Sequence, residues 1–221
     1  MLTEQYRRDY AGEYVVLTID IHHGIHNQTR EWLDNRVTVN RTSRSAAVIG
    51  SDCTRHRFDY KLLENHRGGL NSTTKLHTYG TGNIWRQMQL ETYVSTRPTE
   101  ISPLYKTNYA DQAVVFSTSR QCLHYPNKLH LIPYQPNLVD LALPLYLAAF
   151  DGNTNIYMLG YNKETPCSDP RWIDDVTQVI KAYRYAQFTL VGIKANMPAA
   201  WLNRPNVSCI NYQDFVIQCD I

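Results

Sequence analysis

Residues 137–162, NLVDLALPLYLAAFDGNTNIYMLGYN, set an almost wholly apolar run directly before a glycine turn and a second, shorter apolar run. Ala142, Leu143, Leu145, Leu147, Ala148 and Ala149 leave almost no polar face, so a helix built from them must be covered on most sides. Pro144 belongs in its first turn, where a missing N–H does least harm. Asp151-Gly152 supplies the stop, because glycine readily takes the left-handed conformation that ends many helices. Residues 156–159 follow as a short strand without a polar face, as required of a strand covered on both sides. A buried helix feeding a buried interior strand points to stacked α/β architecture.

A chain of 221 residues suits one domain with room for a small appendage, and 43% apolar against 19% charged residues excludes general disorder. No run approaches the ~20 apolar residues that a bilayer requires, and the opening MLTEQYRRDY lacks the apolar core of a signal peptide. No membrane partner and no signal-directed secretion are therefore expected. A net charge of +2 is too small to demand nucleic acid, although Arg41, Arg44, Arg55, His56 and Arg57 could form a basic face. Five scattered cysteines without a Cys-x-x-Cys pair read as reduced thiols. Sixteen tyrosines against five phenylalanines are unusual. Tyrosine offers rigid apolar area with a polar tip, which suits partner surfaces; drift in composition is the competing explanation.

Along the chain, residues 14–20 (YVVLTID) form the first strand, 28–35 suit a short helix, and 36–40 extend again. Residues 1–44 thus read as an N-terminal arm or elaboration, expected to pack on a neighbouring chain. Strand-like runs recur at 45–50, 76–79, 91–95, 113–117, 129–132, 156–159, 188–191 and 207–210. Helical segments fall at 58–65, 84–89, 172–185 and 198–202, besides the apolar helix described above. Alternation at this spacing favours right-handed βαβ units. The fold class expected for residues 45–221 is α/β: a Rossmann-like three-layer sandwich around a mostly parallel sheet.

The turn Gly50-Ser51-Asp52-Cys53-Thr54-Arg55 sits at a strand's carboxyl end, where backbone N–H groups and a helix start can cradle phosphate. It has one glycine where dinucleotide and P-loop motifs have two or three, and a plain strand-to-helix turn with Asp or Thr as N-cap is the favoured explanation. Tyr79-Gly80-Thr81-Gly82-Asn83 holds a closely spaced glycine pair that permits backbone approach, with Asn83 able to read a base or sugar edge. A turn and helix cap is the alternative. His22, His23 and His26 have i, i+1, i+4 spacing, but Gly24 and the lack of a nearby carboxylate or thiol argue against a metal. Ser117, Ser119 and His124 lack a Gly-x-Ser-x-Gly elbow.

The order of these segments resembles the bacterial sialyltransferase-like group of Rossmann-like proteins: a strand ending in Gly50 with a Ser/Thr-Arg turn, the segment Tyr79 to Asn83, and a helix feeding Ile156-Tyr157-Met158-Leu159-Gly160. That resemblance covers residues 45–162. It implies a nucleotide-sugar transferase with Gly50, Ser51, Thr54, Gly82 and Asn83 near the donor, and His124 as a candidate base. Two departures stand out. The second glycine of the first turn is missing, and the group's Ser-Gly pair falls at Asp140-Leu141. The whole chain is also similar to proteins of tailed phages of marine cyanobacteria, through Gly12-Glu13-Tyr14, Arg30-Glu31-Trp32 and residues 147–152. This second resemblance implies a phage-encoded structural or interaction protein, located in the virion or host cytoplasm. It would bind other phage structural proteins, also as a homo-oligomer, with no cofactor and no catalytic constellation. The two functional classes stand side by side at this point.

Overall fold

The computed structural model describes residues 2, 13–22, 25–34, 45–50, 58–64, 76–126, 128–162 and 169–221. β3 (Ser45–Ile49) opens an eight-stranded sheet in which every pairing is parallel. The chain adds β4 (His77–Gly80), β5 (Thr92–Val94), β6 (Val114–Ser117) and β7 (His130–Leu131) in succession on one side of β3. It then returns through α5 (Leu143–Phe150) to lay β8 (Asn155–Leu159) against the other side of β3. β9 (Gln187–Val191) and β10 (Val207–Ile210) complete the order β10-β9-β8-β3-β4-β5-β6-β7. The reversal at β3 and β8 is the doubly wound topology expected from the sequence.

Period-2 alternation divides each strand between two helical layers. Ala46, Val48, Ile156, Met158, Phe188 and Leu190 face α5, α6 (Trp172–Ala182) and Trp201. Ala47, Ile49, Leu159 and Val191 face the opposite layer, where α1 (Tyr60–Glu64), α2 (Pro98–Tyr105), α3 (Tyr109–Gln112), α4 (Ser119–His124) and α7 (Tyr212–Cys219) lie. Every residue of α5 is buried, Pro144 stands in its first turn, and β8 is an interior strand. Leu145 and Leu147 are fully buried.

Two polar devices hold this core together. Glu91, 2% exposed, precedes β5 and accepts the Thr78 N–H at 2.8 Å and the Thr78 hydroxyl, while Thr78 Oγ1 accepts the Glu91 N–H at 3.1 Å. A carboxylate thus takes the place of a main-chain carbonyl just before β5 begins. The two N–H groups of the Asn206 amide are shared among the carbonyls of Ile180 and Tyr183 at the end of α6 and of Ala186 in the turn that follows.

Three local expectations change. The helix expected over 28–35 does not form over 28–34, the part of it that is described: β2 (Ile25–Asp34) pairs antiparallel with β1 (Glu13–His22) along its whole length. Two residues including Gly24 join the strands, a connection that favours a hairpin, and cross-strand hydrogen bonding outweighs a weak helix preference. β1 lies beside α4 and β7 of its own chain, so the arm does not depart wholly from the domain. Residues 198–202 form turns only, and α2, α4 and α7 are helices that the sequence pattern left unassigned.

Leu145→Ala removes a fully buried side chain from the helix on which the layers converge. It should cost about 2–5 kcal/mol and lower the urea midpoint without changing far-UV circular dichroism at zero denaturant.

Candidate functional site

Ligands of open α/β sheets bind beyond the carboxyl ends of the strands, at the point where strand order reverses. Here that point lies beyond Ile49 and Leu159. The Gly50 N–H donates to Leu159 O at 2.8 Å, continuing the β3–β8 ladder by one bond. A Cβ on Gly50 would stand 2.7 Å from Gly160 O and 3.0 Å from the Tyr161 ring. Tyr161 is fully buried, and its hydroxyl donates to Leu141 O at 2.8 Å. The glycine at Gly50 is therefore demanded first by the Gly160 carbonyl and then by the Tyr161 ring of the same chain. Beside Tyr161, a cavity of about 30 Å³ lies between the ends of β8 and β9 and the start of α7, lined by Gly160, Asn162, Gly192, Asn196 and Tyr212 among others. It has room for roughly two waters.

The neighbouring strand ends carry the rest of a polar rim. Gly82 takes φ +68°, with open space where a Cβ would be, and its carbonyl accepts the Tyr93 hydroxyl at 2.9 Å. Asn83, next in the chain, is exposed. Thr81 is 3% exposed and its hydroxyl is buried without a hydrogen-bond partner. Gly50 and Gly82 thus stand at the ends of adjacent strands. Ser51, Asp52 and Thr54 fall outside the described residues. His124 is exposed at the far end of α4, with its ring edge-on to Tyr125 at 4.5 Å, and α4 runs away from the strand end that Ser117 marks. Gly50, Gly82 and Asn83 share the carboxyl edge, while His124 is placed at the other end of its helix. The register sets Ile21 opposite His26 and His22 opposite Ile25, so these histidines have no helical spacing. Among the described residues no group of three or more His, Cys, Asp or Glu is placed to hold a metal.

A cluster that the motif search did not single out sits past β5. Asp140 Oδ2 accepts Ser95 Oγ at 3.1 Å, and its carboxylate also takes the Thr96 N–H at 3.2 Å and the Thr96 hydroxyl. Ser95 Oγ lies 2.7 Å from Glu100 Oε2, and the Tyr93 hydroxyl lies 3.1 Å from the same oxygen. Arg97 reaches both acids at 3.5 Å. Burial, followed by the Glu100 charge, pushes the Tyr93 phenol far above its ordinary value, so it stays protonated and acts only as a donor here. The available signal was the run Ser95-Thr96-Arg97-Pro98-Thr99-Glu100, a strand end followed by a proline-led helix start. Asp140, noticed as a departure, is turned onto this strand end. No family model, curated protein or solved structure matches this chain.

Gly50→Ala should destabilise the domain by about 1–3 kcal/mol, since one neighbour of the new methyl is backbone. The check is a denaturation midpoint beside that of Gly82→Ala, where the cost comes from backbone conformation in open space.

Cys122, 1% exposed, is pushed up to about 12 by burial, so the fold retains a thiol proton that the unfolded chain releases near pH 9. The unfolded state then binds fewer protons, and stability falls as pH rises from about 9 toward 12. Urea midpoints measured between pH 7 and 10.5 should decline above pH 9, and less steeply in Cys122→Ala.

Proposed function

We propose that the chain is a phage-encoded, virion-associated interaction protein built on a glycosyltransferase-like scaffold, working without a cofactor. The observation that carries this reading is the Tyr161 ring seated against Gly50, where a nucleotide phosphate would need the backbone bare. Its hydroxyl donates to Leu141 O at 2.8 Å, so swinging the ring aside would cost a buried hydrogen bond. Asp140 and Glu100 add two carboxylates to the same edge against the one guanidinium of Arg97, which disfavours an anionic ligand. The β1–β2 hairpin supports an interaction role. A two-stranded ribbon outside the main sheet is marginally stable alone and gains from a covering surface.

A nucleotide-sugar transferase is the second reading, with Gly50, Ser51, Thr54, Gly82 and Asn83 near the donor and His124 as base. It is favoured by the open space over Gly82 and the exposed Asn83 amide beside it. Calorimetric titration with cytidine and uridine nucleotides separates the two. The interaction reading expects no saturable heat at millimolar nucleotide. Micromolar binding of any of them, abolished by Asn83→Ala, would establish the transferase reading instead.

A further inference from the structure

The two edges of the sheet are unlike. At one edge β7 is two residues long, is followed within two residues by Pro133, and has β1 running beside it. At the other edge β10 presents Val-Ser-Cys-Ile, with no charge and no proline in the strand. Proteins usually blunt an open edge with lysine, proline, a bulge or a covering segment, because its free main-chain groups template further pairing. Within β10 itself none of these devices occurs among the described residues; the nearest proline, Pro205, lies two residues before Val207 and leaves the outward groups from Val207 C=O to Asn211 N–H unblocked.

Register fixes which groups are free. Phe188 N–H donates to Asn206 O at 2.9 Å and Gly192 N–H to Ile210 O at 2.8 Å. In a parallel ladder the even-numbered residues of β10 therefore turn their main-chain groups toward β9, and the odd-numbered ones turn theirs outward. Val207 N–H is taken by Arg204 O at 3.2 Å. The outward set is then Val207 C=O, Cys209 N–H, Cys209 C=O and Asn211 N–H, with Asn211 still extended at φ −79° and ψ 170°.

That set is complementary to itself about a two-fold axis through Cys209. We propose that two copies of this chain pair through β10, antiparallel, into one continuous sheet. Cys209 N–H donates to the carbonyl of the partner's Cys209, Asn211 N–H donates to the carbonyl of the partner's Val207, and symmetry repeats both bonds. A closed two-fold contact uses the same patch on each copy and leaves no new edge at the join. β10 lies two strands from β8, so this contact stands independently of whether the carboxyl edge binds a nucleotide.

The paired Cys209 Cα atoms would be about 5.5 Å apart on one face of the sheet, within disulfide range. The test uses the full chain. Sedimentation equilibrium under reducing conditions should give twice the monomer mass at micromolar concentration. Cys209→Pro removes the outward N–H together with the thiol that contacts Gly192 O at 3.7 Å, and should return the mass to that of a monomer with unchanged far-UV circular dichroism, whereas Cys209→Ser, which keeps the N–H, should stay dimeric. Independently, copper-phenanthroline in air, which takes two electrons and two protons from a thiol pair, should yield a covalent dimer. That product should vanish in Cys209→Ser and persist in Cys219→Ser. Monomer mass at every concentration overturns the proposal. So does a dimer that survives Cys209→Pro, or one that forms no cross-link through Cys209, since either would place the contact on another surface.

Discussion

A helix with no polar face is the constraint around which this fold is arranged. α5 buries all eight of its residues, so both its flanks and its ends must be closed by other parts of the chain. Tyrosines do much of that closing. The Tyr79 hydroxyl donates to Asp151 at 2.6 Å past the helix end and accepts the Asn153 amide at 3.1 Å. The same amide caps Ala148 O at 2.8 Å. Tyr146 on the helix donates to Pro133 O at 3.0 Å, and Tyr161 donates to Leu141 O just before the helix starts. Each ring fills core volume while its hydroxyl satisfies a polar group that burial would otherwise strand. The surplus of tyrosine over phenylalanine therefore has an internal use. Tyr79, Tyr93, Tyr146, Tyr161 and Tyr183 are all fully buried, whereas Tyr134 and Tyr185 stand out as strongly exposed.

The same economy shapes the place where strand order reverses. A glycine at the end of the first strand of an α/β sheet commonly serves a ligand's phosphate, and sequence alone gave Gly50 that reading beside a plain turn. A side chain there would instead meet the Gly160 carbonyl and a ring whose hydroxyl holds the loop before α5. Helix, switch point and loop are thereby tied through one side chain. Opening the crevice at Gly50 would require moving Tyr161 and leaving Leu141 O without its donor.

Much of the architecture was legible because it rests on local patterns. The apolar run at 143–150, the interior strand after it and the order of short strands each follow from burial on one or both faces, and β10 matches its expected residues throughout. What escaped was set by contacts distant in sequence. Residues 25–34 have no strong preference of their own and become a strand through pairing with β1. α2 carries Pro103 inside it, which hides a helix from any propensity argument. α7 has a modest apolar stripe, but Asn211 caps it through the Asp214 N–H at 2.8 Å, and Phe215 fixes it to the sheet against Phe58 and Tyr157. At the carboxyl edge the glycines could be read, but the Ser95 cluster could not. Its partners Glu100 and Asp140 are forty residues apart in sequence and meet only because α5 folds back over the sheet.

That cluster also explains how two acids can sit so near the rim. Ser95 Oγ lies within hydrogen-bonding distance of both Glu100 and Asp140 but has a single proton to donate, so it can satisfy only one carboxylate at a time. The other depends on its remaining donors. Asp140 has the Thr96 N–H and hydroxyl, while Glu100 shares the single proton of the Tyr93 phenol with Gly82 O, which lies 2.9 Å from it against 3.1 Å for Glu100. Arg97, half exposed, touches both acids and offsets one charge of the two. The strand end is left with a residual negative charge held by fixed donors. Among the described residues at this strand end, an incoming phosphate would meet two carboxylates against the one guanidinium of Arg97, a net repulsion on the order of 1 kcal/mol at close approach in wet surroundings. A neutral or cationic surface on a partner meets no such penalty. The acidic chemistry of this rim and the ring seated beside Gly50 both support the proposed interaction reading, because each disfavours an anion at the carboxyl edge.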